Sequence, residues 1–152
     1  MIKSKTVAPT FFPSLKVNLW LGITLLCLLL QACGPKLTLE EYLQRARTAI
    51  EQGDPNTAVV DLKNALQISP VNGEARWLLG SVYVQLEDGV SAEKELRKAQ
   101  KNGVSLDSLI VPLAQSLFLQ GRYDDLINDI LPTSDLTPGH RAELLAIRGQ
   151  SY

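Results

Sequence analysis

The sequence predicts an all-α protein, a solenoid of stacked helical hairpins. Two observations predict this fold: part of the chain repeats itself, and helix-breaking residues separate the copies. The stretch "GDPNTAVVDLKNALQISP" (53–70) aligns with "EDGVSAEKELRKAQKNGV" (87–104) at an offset of 34 residues. The offset pairs small residues with small ones and leucine with leucine: Ala58 with Ala92, Leu62 with Leu96, and Ala65 with Ala99.

Small residues in these copies mark places where two antiparallel helices come close. Ala46 occupies the position of Gly80 in the first copy, and "WLLGSVY" (77–83) looks like the first-helix signature of the tetratricopeptide repeat. A period of 34 residues is typical of that repeat. We therefore predict tetratricopeptide repeats over 39–152, divided as 39–72, 73–106, 107–141 and an incomplete copy at 142–152.

The third copy departs from the pattern. Leu126 stands where the first copy has Ala58, and Pro112 lies inside the predicted first helix, where proline marks a late helix start or kinks the first turn. We expect the two helices of this copy to splay, with a longer linker over 131–140. Because the fourth copy has only a first helix, we expect the chain to be the amino-terminal piece of a longer solenoid.

The first 32 residues have the composition of a secretory signal peptide. Lysines at 3, 5 and 16 precede the apolar run "LWLGITLLCLLL" (19–30), and small residues follow it. The apolar run is short for a membrane-spanning helix, which needs about 20 residues. An uncleaved anchor helix in the 19 uncharged residues between Lys16 and Lys36 is the alternative.

The sequence Leu30-Gln31-Ala32-Cys33 resembles the lipobox of bacterial lipoproteins. The resemblance implies cleavage after residue 32, lipidation of Cys33, and a lipidated tether over 33–38. Gly34 replaces the aspartate that retains such proteins in the inner membrane, which implies an outer-membrane anchor facing the periplasm. Two or more acyl chains make such attachment stable.

Composition argues against several other classes. After cleavage, 12 Lys and Arg remain against 16 Asp and Glu, a formal charge of −4 that does not suggest a nucleic-acid-binding surface. No cluster of His, Cys or carboxylates has the spacing of metal ligands. His140 is the single histidine, in a Pro-Gly segment that suggests a capping or exposed role. We therefore expect no enzyme activity, no metal and no cofactor.

Four stretches resemble the tetratricopeptide-repeat lipoproteins of the PEP-CTERM/exosortase system: "DLKNALQISPVNGEARWLLGSVY", "AEKELRKAQKNGV", "PLAQSLFLQGRYDDLI" and "AELLAIRGQSY". The resemblance covers about 33–152. It implies a scaffold for envelope proteins in exopolysaccharide production and the export of PEP-CTERM proteins. Two alternatives stay open. The chain is a docking arm for a cell-wall or polysaccharide-modifying enzyme whose catalytic domain lies beyond residue 152, or a lipoprotein that assembles outer-membrane proteins or pili.

In such an array the first helices line the concave face, where a protein partner would bind. Residues three or four apart share one side of a helix. Trp77 is the strongest candidate, since aromatic residues dominate binding hot spots, although packing between repeats is the alternative role for it. Arg47 has the alternative role of a solvated charge. The predicted partner-binding residues are Arg47, Trp77, Ser81, Gln85, Gln115 and Phe118.

Overall fold

The computed structural model describes residues 37–151, and this range contains seven α-helices and no strand. The predicted all-α class, a solenoid of helical hairpins, is confirmed. The predicted signal peptide and Cys33 lie outside the described residues. The helices are α1 (Leu39–Glu51), α2 (Pro55–Ile68), α3 (Gly73–Gln85), α4 (Gly89–Lys101), α5 (Leu106–Leu119), α6 (Tyr123–Asp129) and α7 (Pro138–Gly149).

Capping side chains fix where the helices begin. At the start of α1, Thr38 Oγ1 accepts the Glu41 N–H at 3.3 Å, and the Glu41 carboxylate accepts the Thr38 N–H at 2.7 Å. This reciprocal pair satisfies two backbone donors that the helix leaves free. The other helices except α6 also begin after a capping side chain: Asp54, Asn72, Asp88, Ser105 and Thr137. None of the helices in 37–151 is both long and apolar enough to cross a bilayer.

Consecutive helices pack as hairpins, α1 with α2 and α3 with α4, and each hairpin packs on the next. Gly80 shows why small residues recur at the crossing points. A Cβ atom on Gly80 would lie 2.5 Å from Leu96 Cγ, which is closer than packed atoms approach. Leu96 therefore fills the space that the missing side chain leaves, and both residues are buried.

The third hairpin is less regular. Pro112 lies well inside α5, so the helix does not begin late at this proline. Helix α6 has only 7 residues, against 14 in α2, and no side chain caps its start. Irregular chain then runs to Pro138, where a Thr137 cap and a proline in the first turn start α7. The predicted boundary at 142 falls inside this helix.

Replacing Gly89 with alanine is expected to destabilise the fold, by about 1–3 kcal/mol. A Cβ atom there would lie 2.6 Å from the backbone oxygen of Ser116, so α4 and α5 would have to separate. Gly139 is the matched control, because it also lies in the first turn of a helix but has nothing within 4 Å of its Cβ position. Urea denaturation of both alanine variants measures the difference. Equal stabilities would contradict the close contact between α4 and α5.

Candidate partner-binding groove

Three first helices, α3, α5 and α7, lie side by side, and one face of this layer is a groove with two recesses. The central recess has a volume of about 490 Å³ and the distal recess about 340 Å³. Val84, Gln85 and Gln115 line both recesses, so the groove is continuous. The central recess is also lined by Trp77, Ser81, Ser108, Val111, Pro112, His140 and Glu143, and the distal recess by Glu87, Phe118, Leu119, Ile147 and Gln150.

Helical spacing brings the predicted residues together. Trp77, Ser81 and Gln85 follow one another at intervals of four on α3, which places them on one side of the helix. The other side of α3 is buried against the core through Leu79 and Gly80. Five of the six predicted residues therefore line the groove: Trp77, Ser81, Gln85, Gln115 and Phe118.

Trp77 both packs and lines the central recess. Its side chain is half-buried against the core, and its indole N–H donates to the Ser108 backbone oxygen at 3.2 Å. This bond ties α3 to the start of α5. The two roles weighed for Trp77 are thus compatible, and its contribution to binding remains a prediction.

The polar lining residues differ in what they already contact. Ser81 and Gln85 make no side-chain hydrogen bond to any residue of 37–151, so their donors and acceptors are available to a ligand. The Gln115 amide donates to Glu143 at 3.4 Å, a long bond that a ligand could replace. Phe118 packs against Tyr123, with ring centroids 5.4 Å apart at 58°. The groove therefore combines an aromatic wall with available amide and hydroxyl groups.

Arg47 lies apart from both recesses. Its guanidinium pairs with Glu74 at 2.6 Å and with Glu40 at 3.3 Å, which links α1 to α3. The hydrogen bond with Glu74 raises the pKa of Arg47 above its ordinary value. The side chain is therefore a clamp between two hairpins rather than a freely solvated charge, and its predicted binding role remains untested.

The charges around the groove are mostly acidic. No Lys or Arg lines either recess in the described range, whereas Glu87 and Glu143 do. His140 lies in the first turn of α7, and its Nδ1 atom is 3.0 Å from Asp107 Oδ2 without a well-aligned hydrogen bond. Asp107 Oδ1 accepts the Thr137 N–H at 2.7 Å, and this bond lowers the pKa of Asp107.

Asp107 is expected to titrate below its ordinary pKa of 3.8, because the Thr137 N–H stabilises the charged carboxylate. A lowered pKa in the folded state stabilises α7 fully above pH 3.8, and the contribution is lost as the pH falls through the folded pKa. The measurement is the NMR shift of the Thr137 amide proton against pH. Asp107→Asn, which keeps an acceptor but removes the charge, should abolish the titration. A wild-type midpoint at or above 3.8 would contradict the contact.

The groove also contains residues that the sequence did not single out. Val84 follows Ser81 by three positions and Leu119 follows Gln115 by four, so the same helical spacing would have found them. The α7 residues His140, Glu143 and Ile147 were missed because the fourth copy was predicted to start at 142. Within 37–151 no three His, Cys, Asp or Glu side chains are placed to hold a metal ion. The arrangement suits non-covalent binding.

Comparison with known proteins identifies the repeat. Residues 49–105 match the tetratricopeptide repeat family. This stretch is tetratricopeptide repeat. It covers the end of α1, the helices α2, α3 and α4, and the turns between them. Tetratricopeptide repeats are protein-binding scaffolds, so their presence implies protein–protein interaction. The groove lies on the first helices of this scaffold.

Whole relatives align over most of the chain but over little of their own length. Tetratricopeptide repeat protein 16 of Macaca fascicularis and of Homo sapiens are each 33% identical over 109 residues, which is 67% of this chain and 12% of each relative. DnaJ homolog subfamily C member 3 of Bos taurus is 27% identical over 130 residues, 78% of this chain and 25% of that protein. The chain thus spans a quarter or less of these relatives.

Proposed function

We propose that this protein is a lipid-anchored scaffold whose groove on α3, α5 and α7 binds an extended segment of a protein partner. The continuous groove is the observation that supports the proposal most strongly. Its two recesses accept side chains, and the available groups of Ser81 and Gln85 suit the N–H and C=O groups of a peptide backbone.

The lining also limits the chemistry of the partner segment. Val84, Phe118, Leu119 and Ile147 make the distal recess largely apolar, so it suits an apolar side chain. Glu87 and Glu143 add negative charge, with no Lys or Arg among the described lining residues to balance it. An acidic segment would meet like charges there. We infer that the groove binds an apolar segment that is neutral or basic.

Filling the central recess tests the groove. In the Ser81→Arg variant, the long side chain occupies the recess and can pair with Glu143 on its far wall. Gln100→Arg is the control, since Gln100 is exposed on α4 and lines neither recess. Tagged chains are isolated from solubilised native membranes, and bound proteins are quantified by mass spectrometry. At least one partner should fall about tenfold or more with Ser81→Arg alone, a loss typical of a disrupted hot spot. An unchanged partner set in both variants would contradict the proposal.

The anchor is proposed from the lipobox resemblance. Lipid on Cys33 would hold the repeats at the outer membrane, facing the periplasm. Intact mass spectrometry of membrane-extracted protein tests this directly. The wild-type mass should begin at Cys33 and include acyl groups, and Cys33→Ser should lose them. Cys27→Ser is the control, because this cysteine lies in the segment that cleavage removes. A wild-type mass that retains residues 1–32 would favour the uncleaved anchor helix instead.

The pathway is proposed from the resemblance to the lipoproteins of the PEP-CTERM/exosortase system. A scaffold of this kind would bring envelope proteins together during exopolysaccharide production or PEP-CTERM protein export. Deleting the gene should then reduce surface polysaccharide. Wild type and Gln100→Arg should restore it, whereas Ser81→Arg should not. Normal polysaccharide and normal PEP-CTERM export in the deletion strain would contradict this assignment.

A further inference from the structure

A second cleft lies on the other side of α3 from the groove. It has a volume of about 380 Å³, with α2 and α4 as its walls and α3 as its floor. Lys63 lies on the α2 wall, Lys94 on the α4 wall, and Arg76 on the floor. We call this the basic cleft. Its residues belong to the first and second hairpins, so it is separate from the groove residues of α5 and α7.

The cleft has more positive than negative charge. Glu95 is the one carboxylate among its described lining residues, and both of its oxygens are engaged, one by Arg76 and the other by Lys98 at 2.9 Å. Lys63 and Lys94 form no ion pair with any residue of 37–151. This range is otherwise acidic, with 11 Lys and Arg against 16 Asp and Glu. The positive charge is therefore a local feature.

The ammonium of Lys63 is held over the cleft. Its Nζ atom lies 5.8 Å from the centroid of the Tyr83 ring, and Tyr83 lines the cleft floor. A cation over an aromatic ring gains a modest stabilisation and keeps its full charge. Lys63 can therefore contact the ring and still pair with an anion in the cleft.

We propose that the basic cleft binds an acidic peptide segment of a partner protein. A compact oxoanion usually needs free backbone N–H groups at a helix start or an available arginine fork. Neither is available here. Arg76 is engaged by Glu95 and by the Pro70 carbonyl, and the Ser91 N–H donates to Asp88 at 3.0 Å. Two lysines on opposite walls instead suit carboxylates spaced along an extended chain.

The test uses a fluorescein-labelled hexaglutamate peptide and the full chain in a nonionic detergent, with binding followed by fluorescence anisotropy. The double variant Lys63→Gln/Lys94→Gln removes both unpaired charges. Lys101→Gln is the control, because Lys101 is exposed on α4 and does not line the cleft. We expect saturable binding to wild type and to the control, and a dissociation constant about tenfold or more higher for the double variant.

Several outcomes would overturn the proposal. Hexaglutamate that fails to saturate, or that weakens equally with Lys101→Gln, would show only a general charge effect. Inorganic phosphate that displaces the labelled peptide as well as unlabelled hexaglutamate does, mole for mole, would assign the cleft to a compact oxoanion. Circular dichroism of the double variant checks that the fold is retained. Ser81→Arg should leave hexaglutamate binding unchanged, which separates this proposal from that for the groove.

Discussion

Replacing Leu96 with alanine is expected to lower the free energy of unfolding by about 3 kcal/mol. Leu96 is fully buried in the core that α4 shares with α5, and its side chain fills the space beside Gly80. Alanine would leave a cavity where the two helices of the second hairpin cross, and the rigid backbone of α3 cannot collapse into it. Urea denaturation followed by far-ultraviolet circular dichroism measures the loss.

Val90 provides the control for Leu96, because it lies on the same helix with 67% of its surface exposed. Val90→Ala should change stability by no more than about 0.5 kcal/mol. A loss of less than about 1 kcal/mol for Leu96→Ala would fall outside the range for a buried leucine. The packing of α4 on α3 and α5 would then be wrong.

Replacing Arg76 with methionine is expected to cost about 3 kcal/mol, because it leaves one member of a buried ion pair behind. The Arg76 and Glu95 side chains are only 14% and 10% exposed. Arg76 Nε also donates to the Pro70 carbonyl at 3.0 Å, so the guanidinium connects α3 to the end of the first hairpin and to α4. Without it, Glu95 retains only Lys98, at 2.9 Å.

Two further variants isolate the cause of this loss. The double variant Arg76→Met/Glu95→Met removes both charges, and most of the lost stability should return. Arg97→Met removes an arginine that is 41% exposed and pairs with Glu93 at 3.3 Å, so it should cost no more than about 1 kcal/mol. If the double variant were no more stable than Arg76→Met, the unpaired charge would not be the cause.

The hairpins could be predicted because packing dictates the residues at their crossing points. Gly80 with Leu96, and Ala58 with Leu62, occupy positions where only small residues let a partner leucine approach, so the period is visible in the sequence. The Arg76–Glu95 pair was not predicted. Charged residues on a helix face look alike in sequence whether the next hairpin covers them or not.

The groove could be predicted in part. Regular spacing on α3 and α5 identified five of its lining residues, from Trp77 to Phe118. The contribution of α7 was missed because the irregular chain after α6 shifts the repeat, and the start of α7 is set locally by Thr137 and Pro138. Arg47 has the right spacing, but Glu74 holds its side chain away from the recesses. Such a contact between hairpins leaves no periodic signal.

Site-specific photocrosslinking in the native cell tests most directly whether the groove binds a partner. A benzophenone amino acid replaces Gln85, which lines both recesses, or Gln100, which is exposed and lines neither. The same residue type is removed in both cases, so only the position differs. We predict a discrete protein adduct from position 85 that position 100 does not give. No adduct at 85, or the same adducts from both positions, would contradict a partner in the groove.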